Sequence, residues 1–334
     1  MKLSVVTTLY HSAAYIQEFY ERTCKVAQTI TPDYEIVLVN DGSPDKSLDI
    51  ARGLAEQDSR VVVVDLSRNF GHHKAIMTGL AYAQGDLILL IDIDLEEPPE
   101  ILTTFYRLFQ DSDADVVYGV QSQREGSAFR RASGRVYYSL YNWLSQYPVP
   151  HDALIARLMT RRYVQRLLEH KEQLFSIDGL MEITGFKQIP VEVEKHYKGS
   201  TTYSLPKRIG LAVSGITALS NKPLIYIAYL GLVMTIPSGV LVVYLMFQYL
   251  LGITDVSGWT SVIVSLWFLG GLIIFLMGII AVYLSVIFVE IKARPYTVVR
   301  DVYRHPQAQD AANDSEQSYA EINRLRQPHN TLTN

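Results

Sequence analysis

The chain has 334 residues, a formal net charge of −4, 49% hydrophobic residues and one cysteine, enough for one large domain or two ordinary ones. The small negative charge lacks the strongly basic balance of nucleic-acid binders, so no nucleic acid is expected as a partner. Cys24 alone can form no intrachain disulfide, which fits a reducing compartment.

Taken in order, "LSVVTTLY" from Leu3 reads as a β-branched strand, and "MKLSVVTTLY" has too short an apolar run for a signal peptide. "AAYIQEFYERTCKVAQTI" spaces its apolar residues as a helix does, and "YEIVLVNDGSPD" is a buried strand broken by a Gly-Ser-Pro turn. "SLDIARGLAEQD", "VVVVDLSRN", "KAIMTGLAYAQ", "DLILLIDID", "PEILTTFYRLFQ" and "ADVVYGV" continue the alternation of helix and strand. This pattern predicts a mostly parallel sheet with helices on both faces. Ligands bind such sheets beyond the carboxyl ends of the strands, where Thr7, Thr8, Tyr10, Asn40, Asp41, Asp92 and Asp94 are expected to converge.

The stretch "LLIDIDLEEPPE" crowds five carboxylates at the end of an apolar strand, an arrangement that calls for a positive partner. In extended backbone Asp92 and Asp94 fall on one side and Ile93 on the other. Their hard oxygens suit Mg²⁺ or Mn²⁺ bridging to a substrate diphosphate; taken alone, Asp-x-Asp also fits a solvated turn. Asp41 in "VNDGS" can accept from a nucleobase N–H or close a simple Asx turn. "RNFGHHKA" supplies Arg68, Gly71, His72, His73 and Lys74 between a strand and a helix, with no P-loop or dinucleotide fingerprint. Adjacent histidines diverge, and no third His or Cys sits at ligand spacing, which argues against a transition-metal site.

Farther along, Arg124, Arg130, Arg131 and Arg135 form a basic cluster suited to phosphate. A solvated basic helix and a face towards anionic headgroups are the alternatives. From Pro223 to Glu290 charge nearly vanishes. Two apolar stretches there, about 223–250 and 261–289, each exceed the roughly 20 residues that span a bilayer, and predict two transmembrane helices. Lys207, Arg208 and Lys222 precede the first, Lys292, Arg294, Arg300 and Arg304 follow the second, and the connection holds no Lys or Arg. Both flanks are therefore expected on the cytoplasmic side. "SLPKRIGLAVSGITAL" can lie at the interface as an amphipathic helix. Gly270, Gly271 and Gly278 offer a small-residue face through which a homo-oligomer could form. The tail after Pro306 is polar and is expected to be disordered or loosely attached.

"VNDGSPDKS", "LSRNFGHHKAIMTGLAYAQGD" and "LILLIDIDLEEPPE", in that order and followed by a transmembrane hairpin, resemble the polyisoprenyl-phosphate glycosyltransferases of glycosyltransferase family 2, from about residue 3 to about residue 300. The resemblance implies an α/β GT-A catalytic domain over 1–205, an interfacial helix over 206–222, the hairpin over 223–290 and a basic segment with polar tail over 291–334. It implies a nucleoside diphosphate sugar held by Thr8, Tyr10, Asp41, Lys74 and Asp92, with Mg²⁺ or Mn²⁺ on Asp92, Asp94 and Glu96. The acceptor would be a polyisoprenyl phosphate held by Arg124, Arg130, Arg131, Arg135 and Lys198, and Asp94, Arg124 and Arg131 would be catalytic. The expected activity is inverting hexose transfer, from UDP-glucose or alternatively GDP-mannose or a UDP-amino sugar, by an integral protein of a bacterial inner membrane with its catalytic domain in the cytoplasm.

The sequence departs from the family pattern in places. The usual Pro-x-Tyr-Asn-Glu after the first strand is Thr8-Leu9-Tyr10-His11-Ser12, and Gln121 replaces a commonly basic residue. Ile155 stands where many members carry Asp, with Asp152 the nearest substitute. A phosphate monoester with a second pKa of about 6 is largely anionic at neutral pH and needs no strong base. A processive polysaccharide synthase is disfavoured because none of Trp143, Trp259 and Trp267 follows an Arg. A non-catalytic membrane scaffold is the reading from another class.

Overall fold

The computed structural model describes residues 1–121, 143, 153–173, 175–193, 220–251 and 259–306. The chain divides into two compact units, one formed by Met1–Tyr138, Val149–Tyr203 and Ala293–Asn334, the other by Ser139–Pro148 and Ser204–Lys292.

The first unit is built on the expected alternation. Strands β1 (Leu3–Leu9), β2 (Tyr34–Asn40), β3 (Val61–Leu66) and β4 (Leu87–Leu90) alternate with helices α1 (Ile16–Ile30), α2 (Ser47–Gln57), α3 (His72–Tyr82) and α4 (Ile101–Gln110). β5 (Val116–Gln121), β6 (Ala153–Thr160), α5 (Arg161–Leu168), α6 (Ile177–Ile183) and β7 (Gln188–Val193) follow. The eight-stranded sheet has the order β7-β5-β6-β4-β1-β2-β3-β8, where β8 is Val299–Tyr303.

Every residue of β1, β2 and β3 is buried, as a strand covered on both faces must be. Leu3, Val5 and Leu9 pack with α1, α2 and α4 through Phe19, Leu54 and Phe105. Val6, Val39 and Val64 pack on the other face with α3 and α5 through Ile76, Leu80 and Tyr163. Gly79 permits the closest approach of α3, since a Cβ there would lie 2.6 Å from Val6 Cγ1 and 2.8 Å from Val39 Cγ2.

The sheet is less uniformly parallel than the alternation predicts. β6 runs antiparallel to both β4 and β5, and β8 antiparallel to β3. Neither was assigned a strand from sequence. Their pairing partners lie far away along the chain, and β8 is a half-exposed edge carrying Arg300 and Asp301, so its local pattern is that of a charged flank. Within its unit β8 is tied down by Arg300, which donates to Ser67 O at 2.7 Å, and by the buried Thr78–Thr297 hydroxyl pair at 2.8 Å.

The second unit contains two long helices, α7 (Lys222–Leu250, running through Pro237) and α8 (Trp259–Ile291), where the two apolar stretches predicted them. Among the described residues one segment, Leu269–Ile291, is long and apolar enough to cross a membrane. Its large side chains are open, with Ile274 72% and Phe275 65% exposed. Tyr283 donates to Ser220 O at 2.8 Å, and Trp143 stacks on Tyr226 with centroids 4.9 Å apart. Among the described residues a Cβ on Gly270, Gly271 or Gly278 would meet nothing within 4 Å, so packing among them does not require these glycines. The homo-oligomer expected through them gains no support from this.

Candidate active site

Because β1, β2, β3 and β4 are mutually parallel, their carboxyl ends share one edge of the sheet. There the "VNDGS" turn leaves β2 with Gly42 at φ +61°, and a Cβ on Gly42 would lie 2.4 Å from Asn69 N. That close approach lets Asp41 reach the next loop. Its Oδ1 accepts from Phe70 N at 2.7 Å and its Oδ2 from Gly71 N at 3.0 Å. Burial pushes the Asp41 carboxyl up, and the two amides, His72 and Arg68 oppose this. Asp41 therefore shapes the turn that opens α3, and the remaining lone pairs of its oxygens can still accept from a base.

The loops after β1 and β2 are strapped together. Asp45 accepts from Ser43 Oγ (2.6 Å), Ser47 Oγ (2.5 Å) and Ala13 N (3.1 Å), while Ser12 N donates to Ser47 Oγ at 3.0 Å. Burial would raise the Asp45 carboxyl, but these donors hold it well below the ordinary carboxylate range. The Gly-Ser-Pro turn seen in the sequence is thus a brace, a role its turn chemistry alone did not show.

Thr8 is nearly buried at the end of β1, and Tyr10, two residues on, is half exposed with its ring edge-on to His11. Thr8 Oγ1 lies 3.0 Å from His72 Nδ1, and His72 Nε2 lies 3.4 Å from Asp92 Oδ1. His72 therefore bridges the ends of β1 and β4 from the first turn of α3. Burial lowers its proton affinity against the pull of Asp41, Asp178 and Asp94. Burial lowers the neighbouring His73 too, with Asp178 opposing. Sequence reasoning weighed these histidines only as metal ligands; their position at a strand-to-helix junction facing the acidic strand end was the signal available.

Asp92, Asp94 and Glu96 are half buried, whereas Ile93 and Glu97 are buried; β4 ends at Leu90 and Ile93–Asp94 form a turn, so the extended backbone expected to put both aspartates on one side is not what carries them. Leu95 at φ +62° turns the chain, and Glu96 N donates to Asp94 Oδ1 at 3.0 Å. Glu97 accepts from Ala156 N at 3.0 Å, which ties this loop to β6. Among the described residues no three His, Cys, Asp or Glu groups converge to hold an ion. Glu96 is therefore not gathered with Asp92 and Asp94 as the three-residue metal set expected. Two half-buried hard carboxylates still form a donor set that fits Mg²⁺ or Mn²⁺, whose remaining positions water and diphosphate oxygens can fill. Lys74 lies in the first turn of α3, where its N–H donates to Gly71 O at 3.0 Å.

Arg157 on β6 was also missed. It is 4% exposed and pairs in register with Leu90 of β4 and Tyr118 of β5. Its guanidinium donates to Leu154 O at 3.0 Å and Ile155 O at 3.3 Å, and Asp178 Oδ1 lies 3.4 Å away. Ile155 itself packs among apolar side chains. The carboxylate that the structure brings to Arg157 is Asp178, in the first turn of α6, whose charge also favours the protonated forms of His72 and His73. Arg124, Arg130, Arg131, Arg135, Lys198 and Asp152 lie outside the described residues.

Residues 4–168 match the model of the family Glycosyl transferase family 2. The chain is 46% identical over 303 residues to a Mycobacterium tuberculosis protein described as among putative glycosyltransferases, covering 91% of this chain and 89% of that one. It is 30% identical over 305 residues to the prophage bactoprenol glucosyl transferase homolog of Escherichia coli, covering 90% and 99%. Glucosyl-3-phosphoglycerate synthase from M. tuberculosis, solved with UDP, superposes with a TM-score of 0.45 at 16% identity, covering 66% of this chain and 79% of that one. The match of residues 4–168 to the family model, and relatives 46% and 30% identical over 91% and 90% of this chain, make it a glycosyltransferase of glycosyl transferase family 2, with the mixed α/β sheet of a GT-A domain.

Proposed function

We propose that the protein transfers a hexose, with inversion, from UDP-glucose to a polyisoprenyl phosphate such as undecaprenyl phosphate at the cytoplasmic face of a membrane. The observation that carries this is alignment over 99% of a bactoprenol glucosyl transferase homolog, helices α7 and α8 included. It is joined to a crevice whose acidic edge faces the end of a parallel sheet.

In this reading Thr8, Tyr10, Asp41 and Lys74 line the nucleotide and sugar end. The turn held by Asp41 sets the backbone from which α3 starts, and a helix start favours phosphate. Asp92 and Asp94 would hold Mg²⁺ or Mn²⁺, which when bound neutralises charge on the leaving diphosphate. The acceptor phosphate is its own nucleophile, and Arg124, Arg130, Arg131, Arg135 and Lys198 align it. The chain thus contributes positioning and fixed charge.

The reading is tested by release of nucleoside diphosphate that depends on undecaprenyl phosphate. UDP release from UDP-glucose with Mg²⁺ or Mn²⁺, abolished by EDTA, is expected. Release of GDP from GDP-mannose, or of UDP from a UDP-amino sugar alone, would move the donor assignment. Release from none of the three would overturn it.

A further inference from the structure

We infer that His72 is a positioning residue: Thr8 and His72 together aim the Asp92 carboxylate, and so set the affinity of the Asp92–Asp94 pair for a divalent cation. The inference rests on the metal reading above and adds the group that orients one ligand.

Thr8 Oγ1 is 3.0 Å from His72 Nδ1, and His72 Nε2 is 3.4 Å from Asp92 Oδ1. As the Nε2–H tautomer the ring accepts from the Thr8 hydroxyl at Nδ1 and turns its N–H edge towards Asp92, an electrostatic contact at 3.4 Å that is longer than a hydrogen bond. His72 is fixed at its root as the first residue of α3, and the preceding turn is pinned by the two amides on Asp41. Asp94 is held by the amide of Glu96. Each carboxylate of the pair thus faces an N–H from a different part of the chain, Asp94 at hydrogen-bond distance and Asp92 at 3.4 Å. Partners of this kind fix ligand orientation, and losing one weakens metal binding by about 10- to 100-fold.

The test is the affinity of the full-length purified protein for Mn²⁺, followed by the electron paramagnetic resonance of free Mn²⁺, alone and with saturating UDP or GDP. Wild type, His72→Ala, His72→Gln, Thr8→Val and Asp94→Asn are compared, with thermal unfolding as the control for folding. His72→Ala is expected to weaken Mn²⁺ binding about tenfold. His72→Gln, whose amide reaches as far as Nε2, should recover part of the loss, and Thr8→Val should show a smaller loss. Asp94→Asn should lose binding. Equal affinity in wild type, His72→Ala and Thr8→Val, with binding lost in Asp94→Asn, would overturn the role of His72 and leave the metal site standing. Loss in His72→Ala as complete as in Asp94→Asn, with no recovery in His72→Gln, would make His72 a ligand and also overturn it. No Mn²⁺ binding by wild type, or binding indifferent to Asp94→Asn, would overturn the metal reading and the inference together. Should His72→Ala fail to fold, His72→Gln and Thr8→Val decide the matter alone.

Discussion

Asp41 and Asp58 are two carboxylates treated oppositely by their surroundings. Asp41 is buried with its oxygens on two backbone amides. Asp41→Ala leaves those amides unanswered and should lower stability by about 1–3 kcal/mol, read by chemical denaturation of the first unit's signal. It should also weaken donor binding, since the turn before α3 loses its clamp. Asp58 is held by Arg60 through Nε at 2.9 Å and Nη2 at 2.8 Å, and by the Tyr20 hydroxyl at 2.6 Å. Burial works against these donors, and they still take its pKa from 3.8 to about 2. A depressed carboxylate stabilises the fold above its unfolded pKa, and that contribution disappears as pH falls through the folded value. Between pH 4 and 2 the wild type should therefore lose thermal stability more steeply than Asp58→Asn, and parallel slopes would contradict this.

The same scale shows what could be read in advance. Asp92, Asp94, Asp41 and Thr8 were legible because each ends an apolar strand, and strand ends face the ligand edge of such sheets. His72, Arg157 and Asp178 were not, because their roles depend on contacts between segments distant in the chain. Arg157 in particular sits in a strand whose place beside β4 no local pattern reveals. Asp178→Asn removes the carboxylate facing a buried guanidinium and should lower stability by about 1–3 kcal/mol, the partial exposure of Asp178 keeping it below the loss for a fully buried pair. A thermal midpoint equal to wild type would contradict that pairing.

Among elements, α3 joins the proposed site to the core. Its first turn carries His72, His73 and Lys74, and its far half packs Gly79 onto β1 and β2. Gly79→Ala would drive a methyl into Val6 and Val39 and should lower stability by about 1–3 kcal/mol, displacing the residues at the crevice end of the same helix. Gly53→Ala, where a Cβ meets nothing within 4 Å, is the control and should be neutral or slightly stabilising. Period and composition made α1 to α4 and β1 to β5 readable, since each is amphipathic or wholly buried. β8 escaped because an edge strand with charges on it looks like a flank, even though it closes the sheet beside β3.

At the scale of the whole molecule, one unit holds the eight-stranded sheet and most of the residues that match glycosyl transferase family 2, and the other two long apolar helices. The change in charge along the chain marks off the apolar stretch, but not that the segment from Ala293, with β8, belongs to the first unit. The donor, the acceptor and the membrane face are the parts that chemistry must establish. The most direct measurement is the mass spectrum of undecaprenyl phosphate after incubation with the purified full-length protein, UDP-glucose and Mg²⁺. The account predicts a new lipid heavier by one hexose residue, absent with EDTA and absent with Asp94→Asn. An unchanged lipid with active, folded protein, or a product that persists in Asp94→Asn, would contradict it.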